Sequence, residues 1–277
     1  MTLCIAAECE HEGAPAVVLC CDWRGETEVV TIEIDKIRWI GDWSVLLAGD
    51  VTRADELVGE YEREFATSPF VGPVYDLIER FKKPAQRQKR KLIEEHVALS
   101  LGISYGDFLN YGKQWFTDTI YYETYNEIRR LSLDADLILC SCTTDTSVLL
   151  RVDSYGNVHW DDDFSLIGSG STIANGAMCQ REYDNTMPLM ECLYRVYEAK
   201  RLGEIDPHVG QPTKFEIMLP NGRFDISDDC FKYLNDRFRT FGPKPKVKEL
   251  EFRPEYLEPS DEEEPPKPPV SSSGESG

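Results

Sequence analysis

The sequence predicts an α+β fold in which antiparallel sheets are covered by helices. Three observations lead to this class: short apolar runs with strand character open the chain, helical patterns follow, and strands, helices and a hairpin then come in separate groups. Such grouping is typical of antiparallel sheets with helices packed on them. The chain has 277 residues and is 41% hydrophobic, which is enough to bury one sizeable core.

Five short segments near the start have the length and β-branched content of strands. They cover residues 3–7, 16–21, 29–34, 36–40 and 44–48. Polar turns separate them, so the simplest arrangement is an antiparallel meander in which each strand lies beside the next.

The middle of the chain carries helical patterns. Thr52 is the predicted N-cap of the first helix, and Leu57, Tyr61 and Phe65 recur at the spacing of one helix face. A second helix is predicted from about residue 73 towards residue 81. We expect residues 84–130, which mix charged and ambiguous stretches, to be mostly helical.

The second half of the chain returns to strands. Residues 135–160 contain apolar runs that would turn back at residues 145–146 and again at 155–157. Residues 164–183 then pass from a strand through small residues into a helix, and a further helix is predicted over residues 187–201.

The last predicted element is a hairpin over residues 214–226, in which the pair Asn221-Gly222 indicates a type I′ turn. From residue 243 the composition changes to Pro, Glu and Ser with few large apolar side chains. Such a segment cannot bury enough surface to offset the entropy lost on ordering. We therefore predict a domain over residues 1–242 and a largely disordered acidic tail over residues 243–277.

The composition disfavours several kinds of partner. The net charge of −20 disfavours nucleic acid and anionic membrane surfaces, and no apolar stretch approaches the roughly 20 residues of a membrane span. The start of the chain does not resemble a signal peptide, so we expect a cytoplasmic protein. Nine cysteines, with Cys20 and Cys21 adjacent, predict reduced thiols. The Cys140/Cys142 pair has no nearby His or second Cys pair, so we predict no metal site and no cofactor.

Four segments stand in one particular order. They are Thr2 at the first strand, CCDWRGE at 20–26 with DKIRWI at 35–40, LLAGDVTRADEL at 46–57, and IGSGSTIA at 167–174. Together they resemble the proteasome β subunits and their bacterial relatives, over roughly residues 2–240. The resemblance implies a four-layer αββα sandwich, a threonine-type N-terminal nucleophile (Ntn) hydrolase acting on peptides, and a homo-oligomer such as a ring, with any ATPase partner left open.

The resemblance also implies catalytic roles. A threonine hydroxyl is a weak nucleophile and needs a base, which the α-amine of Thr2 supplies once Met1 is removed. Lys36 would be the cation beside the nucleophile, and Asp22 the carboxylate that orients Lys36. From position alone, Asp22 and Lys36 could equally be a surface ion pair on a hairpin.

Gly49 matches the glycine whose N–H faces the oxyanion, and Ser169 and Asp206 match residues that support the α-amine. The glycine-rich loop around Ser169 could alternatively cradle a phosphate, although no P-loop lysine follows it. Val209 stands where the family has a serine, which weakens the expected support of the amine. His208, next to it, is an alternative member of that network.

The stretch from Gly49 to Leu137 is longer than expected in the family, by an insertion within residues 84–130. It holds a basic cluster, which is either a solvated helix face or an inter-subunit contact. Its members are Arg80, Lys82, Lys83, Arg87, Lys89, Arg90 and Lys91. Two alternatives to a peptidase stay open. One is a catalytically silent scaffold or binding subunit, which Val209 would favour. The other is an Ntn hydrolase of small amides with a cleft reshaped by the insertion.

Overall fold

The computed structural model describes residues 2–26, 31–33, 35–67 and 72–243. The chain divides into two compact units, Met1–Gly242 and Pro243–Gly277, and every helix and strand described here belongs to the first. The predicted disordered tail lies, from residue 244 onward, outside the described residues.

The fold is α+β with two five-stranded antiparallel sheets, as predicted. The strands, numbered along the chain, make up the first sheet in the order β10 (Phe164–Ile167), β1 (Cys4–His11), β2 (Ala14–Asp22), β11 (Thr213–Leu219) and β12 (Gly222–Asp225). The second sheet has the order β5 (Ile37–Ile40), β6 (Trp43–Gly49), β7 (Ala135–Cys142), β8 (Ser147–Val152) and β9 (Val158–Asp161). Two short strands, β3 (Arg24–Glu26) and β4 (Thr31–Glu33), pair with each other.

The predicted meander is correct for its first and last strand pairs and wrong for the second partner of β2. β1 pairs with β2, but β2 then pairs with β11, and the chain crosses to the other sheet before β5 pairs with β6. Adjacency along the sequence favours a hairpin. β2, which is buried from Ala16 onward, needs a partner on each side and finds the second one far along the chain. Of the predicted strand over 29–34, residues 29, 30 and 34 lie outside the described residues.

Seven helices lie in the described part of the chain. They are α1 (Val51–Thr67), α2 (Val74–Leu101), α3 (Tyr105–Trp115), α4 (Asp118–Arg130), α5 (Ser171–Gln180), α6 (Leu189–Gly203) and α7 (Asp228–Phe241). α2 continues through Pro84 and ends where Gly102 adopts a left-handed conformation. Within the described residues, no helix combines the length and apolar character needed to cross a membrane.

Two local predictions are corrected by backbone geometry. The first helix is capped by Asp50 rather than Thr52, because Asp50 Oδ1 accepts a hydrogen bond from Arg53 N at 3.0 Å. In the last hairpin Leu219 pairs with Gly222, so the two turn residues are Pro220 and Asn221. Neither has a positive φ, and a type I′ turn requires positive φ at both positions.

The core consists of three main clusters of buried side chains. One contains residues from both sheets, such as Cys4, Leu46 and Ile138. The second joins the first sheet to α5, α6 and α7, and the third joins the second sheet to α1 and α2. β1 sends alternate side chains into the first two clusters, as expected from the two-residue period of a strand. The start of β1 is thereby fixed from both sides.

Candidate active site

Three of the predicted site residues lie together in a buried polar cluster. Thr2 precedes β1, Asp22 ends β2 and Lys36 precedes β5, and their exposures are 3%, 0% and 4%. Lys36 Nζ donates to Thr2 Oγ1 and lies 2.9 Å from Asp22 Oδ1. Thr2 Oγ1 donates to Asp22 Oδ1. The arrangement is therefore a buried ion pair around one hydroxyl, and not the surface pair that was the alternative.

The Asp22 carboxylate is held on both of its oxygens. Besides Thr2 and Lys36, Oδ1 accepts from Leu3 N at 2.9 Å, and Oδ2 accepts from Gly210 N at 3.0 Å. Hydrogen bonds to an ionised acceptor are among the stronger ones in proteins. The carboxylate is thus fixed in one orientation by two backbone amides that do not take part in the cluster otherwise.

Two glycines with positive φ allow close backbone contacts, one of them against Thr2 itself. Gly49 has a φ of +94°, and a Cβ there would lie 2.2 Å from Asp134 O. Gly168 has a φ of +95°, and a Cβ there would lie 2.2 Å from Thr2 O. Gly170 N donates to Thr2 O at 3.4 Å. Because the loop is packed against Thr2 in this way, the contacts favour a positioning role over a phosphate cradle.

Thr2 and Gly49 face a common cavity of about 390 Å³. Its other walls are formed by Asp136, Arg151, Leu166, Ile167, Gly168, Ser169 and Ser171. A neighbouring cavity of about 340 Å³ shares Arg151, Leu166 and Ser171 with it. A larger cavity of about 800 Å³ lies by Trp43, at the opposite end of β6 from Gly49, and includes none of the predicted site residues.

Asp136 and Arg151 are charged members of the cavity wall that the sequence analysis did not single out. Asp136 Oδ1 accepts from Ser154 N at 2.8 Å, and burial raises the pKa of this carboxyl despite that bond. Arg151 Nε donates to Asp161 Oδ2 at 3.0 Å. The available signal was a charged residue inside each of two apolar strand sequences, ADLILCSC and SVLLRV.

Ser169 and Asp206 form no hydrogen bond with Thr2, Asp22 or Lys36 within the described residues. Asp206 Oδ1 accepts from His208 N at 2.9 Å, and this bond holds the pKa of Asp206 below its usual range. The buried Ser169 hydroxyl forms no hydrogen bond of regular geometry, although it lies close enough to Asp206 to add to that lowering.

Val209 is a core residue at the edge of the site. It is 4% exposed and belongs to the cluster between the first sheet and its helices. A Cβ on Gly170 would lie 2.7 Å from Val209 Cγ2, which shows how tightly the two segments pack. The loop therefore contributes to the site through the Gly210 amide, a group without a sequence signature, rather than through a hydroxyl at position 209.

The basic cluster of the insertion lies largely on α2 and forms ion pairs within the chain. Lys82 pairs with Glu79 at 2.6 Å, and Arg87 pairs with Glu64 at 2.9 Å. Exposed pairs of this kind contribute little stability. For Lys82 and Arg87, these ion pairs support a solvated helix face rather than an inter-subunit contact.

Comparison with known proteins gives similarity to solved structures alone. No protein-family model matches the chain, and no curated protein sequence matches it. Among solved structures, the crystal structure of eukaryotic HslV from Trypanosoma brucei is similar, with 22% identity over 78% of this chain and 98% of that chain and a TM-score of 0.44. A likeness of this size carries no conclusion about the family or the activity of this chain.

Proposed function

We propose that this protein is a threonine-type Ntn hydrolase that cleaves peptide bonds with Thr2 after removal of Met1. The observation that carries the proposal is the buried cluster in which Lys36 and Asp22 both contact the Thr2 hydroxyl beside a cavity. A buried ion pair adds little stability on average, so its position around a hydroxyl favours a chemical role.

In the proposed reaction, Thr2 Oγ attacks the carbonyl carbon of the substrate while its proton passes to the free α-amine. The Lys36 ammonium stabilises the developing negative charge on Oγ, and Asp22 holds Lys36 in place. Gly49 offers its N–H to the oxyanion of the tetrahedral intermediate. In this proposal Ser169 and Asp206 lie beside the position of the amine.

The intermediate then collapses with cleavage of the C–N bond. The leaving amine takes the proton held by the α-amine, and the acyl group remains on Thr2 as an ester. Water, deprotonated by the same amine, attacks the ester, and the bond between the acyl carbon and Thr2 Oγ breaks. The amine returns the proton to Oγ, so the acid is released and the Thr2 hydroxyl is restored. One group therefore serves as base and then as acid in each half of the reaction.

A catalytically silent subunit of the same fold is the second candidate. It is favoured by Val209, which places an apolar side chain where a hydroxyl was expected. The Ser169 hydroxyl, which has no hydrogen bond of regular geometry to any described residue, favours it as well. A hydrolase of small amides is a variant of the first candidate and would fit the modest 390 Å³ cavity. Turnover measured on peptides and on small amides under the same conditions distinguishes the two kinds of hydrolase.

Turnover of fluorogenic peptides by wild type and by Thr2→Ala tests the proposal. We expect the variant to lose at least roughly a thousandfold in kcat, since the attacking atom is gone, while its thermal unfolding changes little. Thr52→Ala, on the exposed first turn of α1, is the matched control and should retain wild-type turnover. Equal rates for Thr2→Ala and wild type would refute the nucleophile assignment.

We also propose that the layers form an αββα sandwich over residues 1–242, and that the chain acts as a cytoplasmic homo-oligomer. The separate core clusters on the two sides of the sheets support the first point. The oligomer rests on the resemblance alone. The mass of the protein in solution tests the proposed homo-oligomer, and a monomeric mass would contradict it.

A further inference from the structure

We propose that Lys200 is a positioning residue that holds the Gly210 amide against Asp22. This inference rests on the proposed function and deepens it, because it identifies what holds the loop amide that binds Asp22. It concerns a lysine that does not line the cavity and has no contact with Thr2.

Lys200 is a fully buried charge in the last turn of α6. Its side chain is 0% exposed, and Nζ donates to Glu204 Oε1 at 2.6 Å and to Gly210 O at 2.8 Å. Glu204 is itself paired with Arg201 at 3.2 Å. A buried ammonium is costly unless it is paired and hydrogen-bonded, and here both conditions are met.

Gly210 is fixed on both sides by these contacts. Its carbonyl accepts from Lys200, and its N–H donates to Asp22 Oδ2 at 3.0 Å. The preceding loop is held by local turns, in which Asp206 N donates to Gly203 O and Val209 N donates to Asp206 O, each at 3.0 Å. A path of direct contacts thus runs from α6 through Gly210 to the carboxylate that binds Lys36.

The bond to Gly210 distinguishes this lysine from an ordinary helical ion pair. Lys200 and Glu204 are four residues apart and could satisfy each other along the helix without the loop. The additional bond ties the helix to the loop. Val209 offers no side-chain donor, so the placement of the backbone at Gly210 decides whether Asp22 Oδ2 keeps this hydrogen bond.

Lys200→Met is the test, and Lys232→Met, at an exposed lysine of α7 paired with Asp229, is the matched control. Hydrogen exchange at Gly210, followed by mass spectrometry of overlapping peptides, should accelerate at least roughly tenfold in Lys200→Met and stay unchanged in Lys232→Met. Peptide turnover should lose about ten- to a hundredfold in kcat, with KM within about twofold, because the substrate is not contacted.

The double variant Lys200→Met/Glu204→Gln separates positioning from stability. In Lys200→Met the buried Glu204 carboxylate keeps only Arg201 as its ion-pair partner among the described residues, which destabilises the fold. The double variant removes that carboxylate, so it should unfold at a higher temperature than Lys200→Met and still show the low kcat. Recovery of kcat together with stability would overturn the inference. Unchanged exchange at Gly210 in folded Lys200→Met would overturn it whatever the activity. If exchange at Gly210 is faster in Lys200→Met but the wild type hydrolyses no substrate, the positioning role of Lys200 is supported and only the proposed function is contradicted.

Discussion

At the scale of single residues, the site depends on backbone positions that only glycine can occupy. Gly168 lies with positive φ directly against Thr2 O, and Gly13 has a similar φ of +80° but open space around its Cβ position. Substitution of these two glycines therefore separates the free-energy cost of a side chain at positive φ from the cost of a clash with Thr2 O.

We predict that Gly168→Ala destabilises the protein by at least about 3 kcal/mol, because left-handed strain and a backbone clash add together. Gly13→Ala should cost only about 1 to 2 kcal/mol from strain. Urea unfolding measures both. Gly168→Ala should also lose peptide hydrolysis, since Thr2 must shift. Equal destabilisation by the two substitutions would show that the Gly168 contact is not tight.

The sequence indicated some of these residues and could not indicate others. Thr2, Asp22 and Lys36 were predicted from the resemblance, because they stand in the ordered motifs that carry it. Gly210 was not found as a donor to Asp22, because a backbone amide has the same chemistry at every residue. Lys200 was missed because a lysine in a helix is ordinarily exposed, and only tertiary contacts show this one to be buried.

At the scale of elements, only Asp50 separates the end of β6 at Gly49 from the start of helix α1 at Val51, so the helix N-terminus helps to fix the end of the strand. Asp50 accepts from Arg53 N with its side chain, and its own N–H donates to Asp134 O at 2.7 Å. The cap and the strand end are therefore parts of one short junction.

We predict that Asp50→Ala lowers the free energy of unfolding by about 1 kcal/mol, because the first turn of α1 loses its cap and a favourable charge. Thr52→Ala, at the residue first expected to cap the helix, should change it by less than about half of that. Chemical denaturation of both variants measures the difference. A larger loss of unfolding free energy for Thr52→Ala than for Asp50→Ala would show that Thr52 is the N-cap.

Elements were predictable where the signal is local. The apolar spacing in α1, the hairpin between β7 and β8, and the strand-to-helix passage into α5 all follow from neighbouring residues. The pairing of β2 with β11 joins segments nearly 200 residues apart in sequence, and no local pattern contains that information. α7 was missed although Ser227, which accepts from Cys230 N, and two acidic residues in the first turn were readable helix-start signals.

At the scale of the whole molecule, one buried carboxyl links stability to pH. Glu8 on β1 is 8% exposed, and burial raises its pKa from the ordinary 4.5 to about 7, with Asp163 and Asp162 adding to the rise and Ser147 opposing it. Since the folded-state pKa lies above the unfolded one, the native state binds the proton more strongly. Its contribution to stability is full below about pH 4.5 and is lost as the pH rises through 7.

We predict that Glu8→Gln, which mimics the protonated side chain, gains stability relative to wild type between pH 5 and pH 8, by up to roughly 3 kcal/mol. Glu10→Gln, at an exposed position of the same strand, is the control and should show no such pH dependence. Urea unfolding at the two pH values measures the difference. A Glu8→Gln effect that is the same at both pH values would contradict the raised pKa.

The central claim is that Thr2 is the N-terminal nucleophile, and covalent labelling tests it most directly. The purified protein is incubated with a peptide vinyl sulfone, which adds to an activated hydroxyl without a leaving group, and its mass is measured before and after. We predict a chain that lacks Met1, gains one reagent and carries it on the N-terminal peptide at Thr2. A chain that retains Met1 throughout, or a reagent attached only elsewhere, would contradict the account.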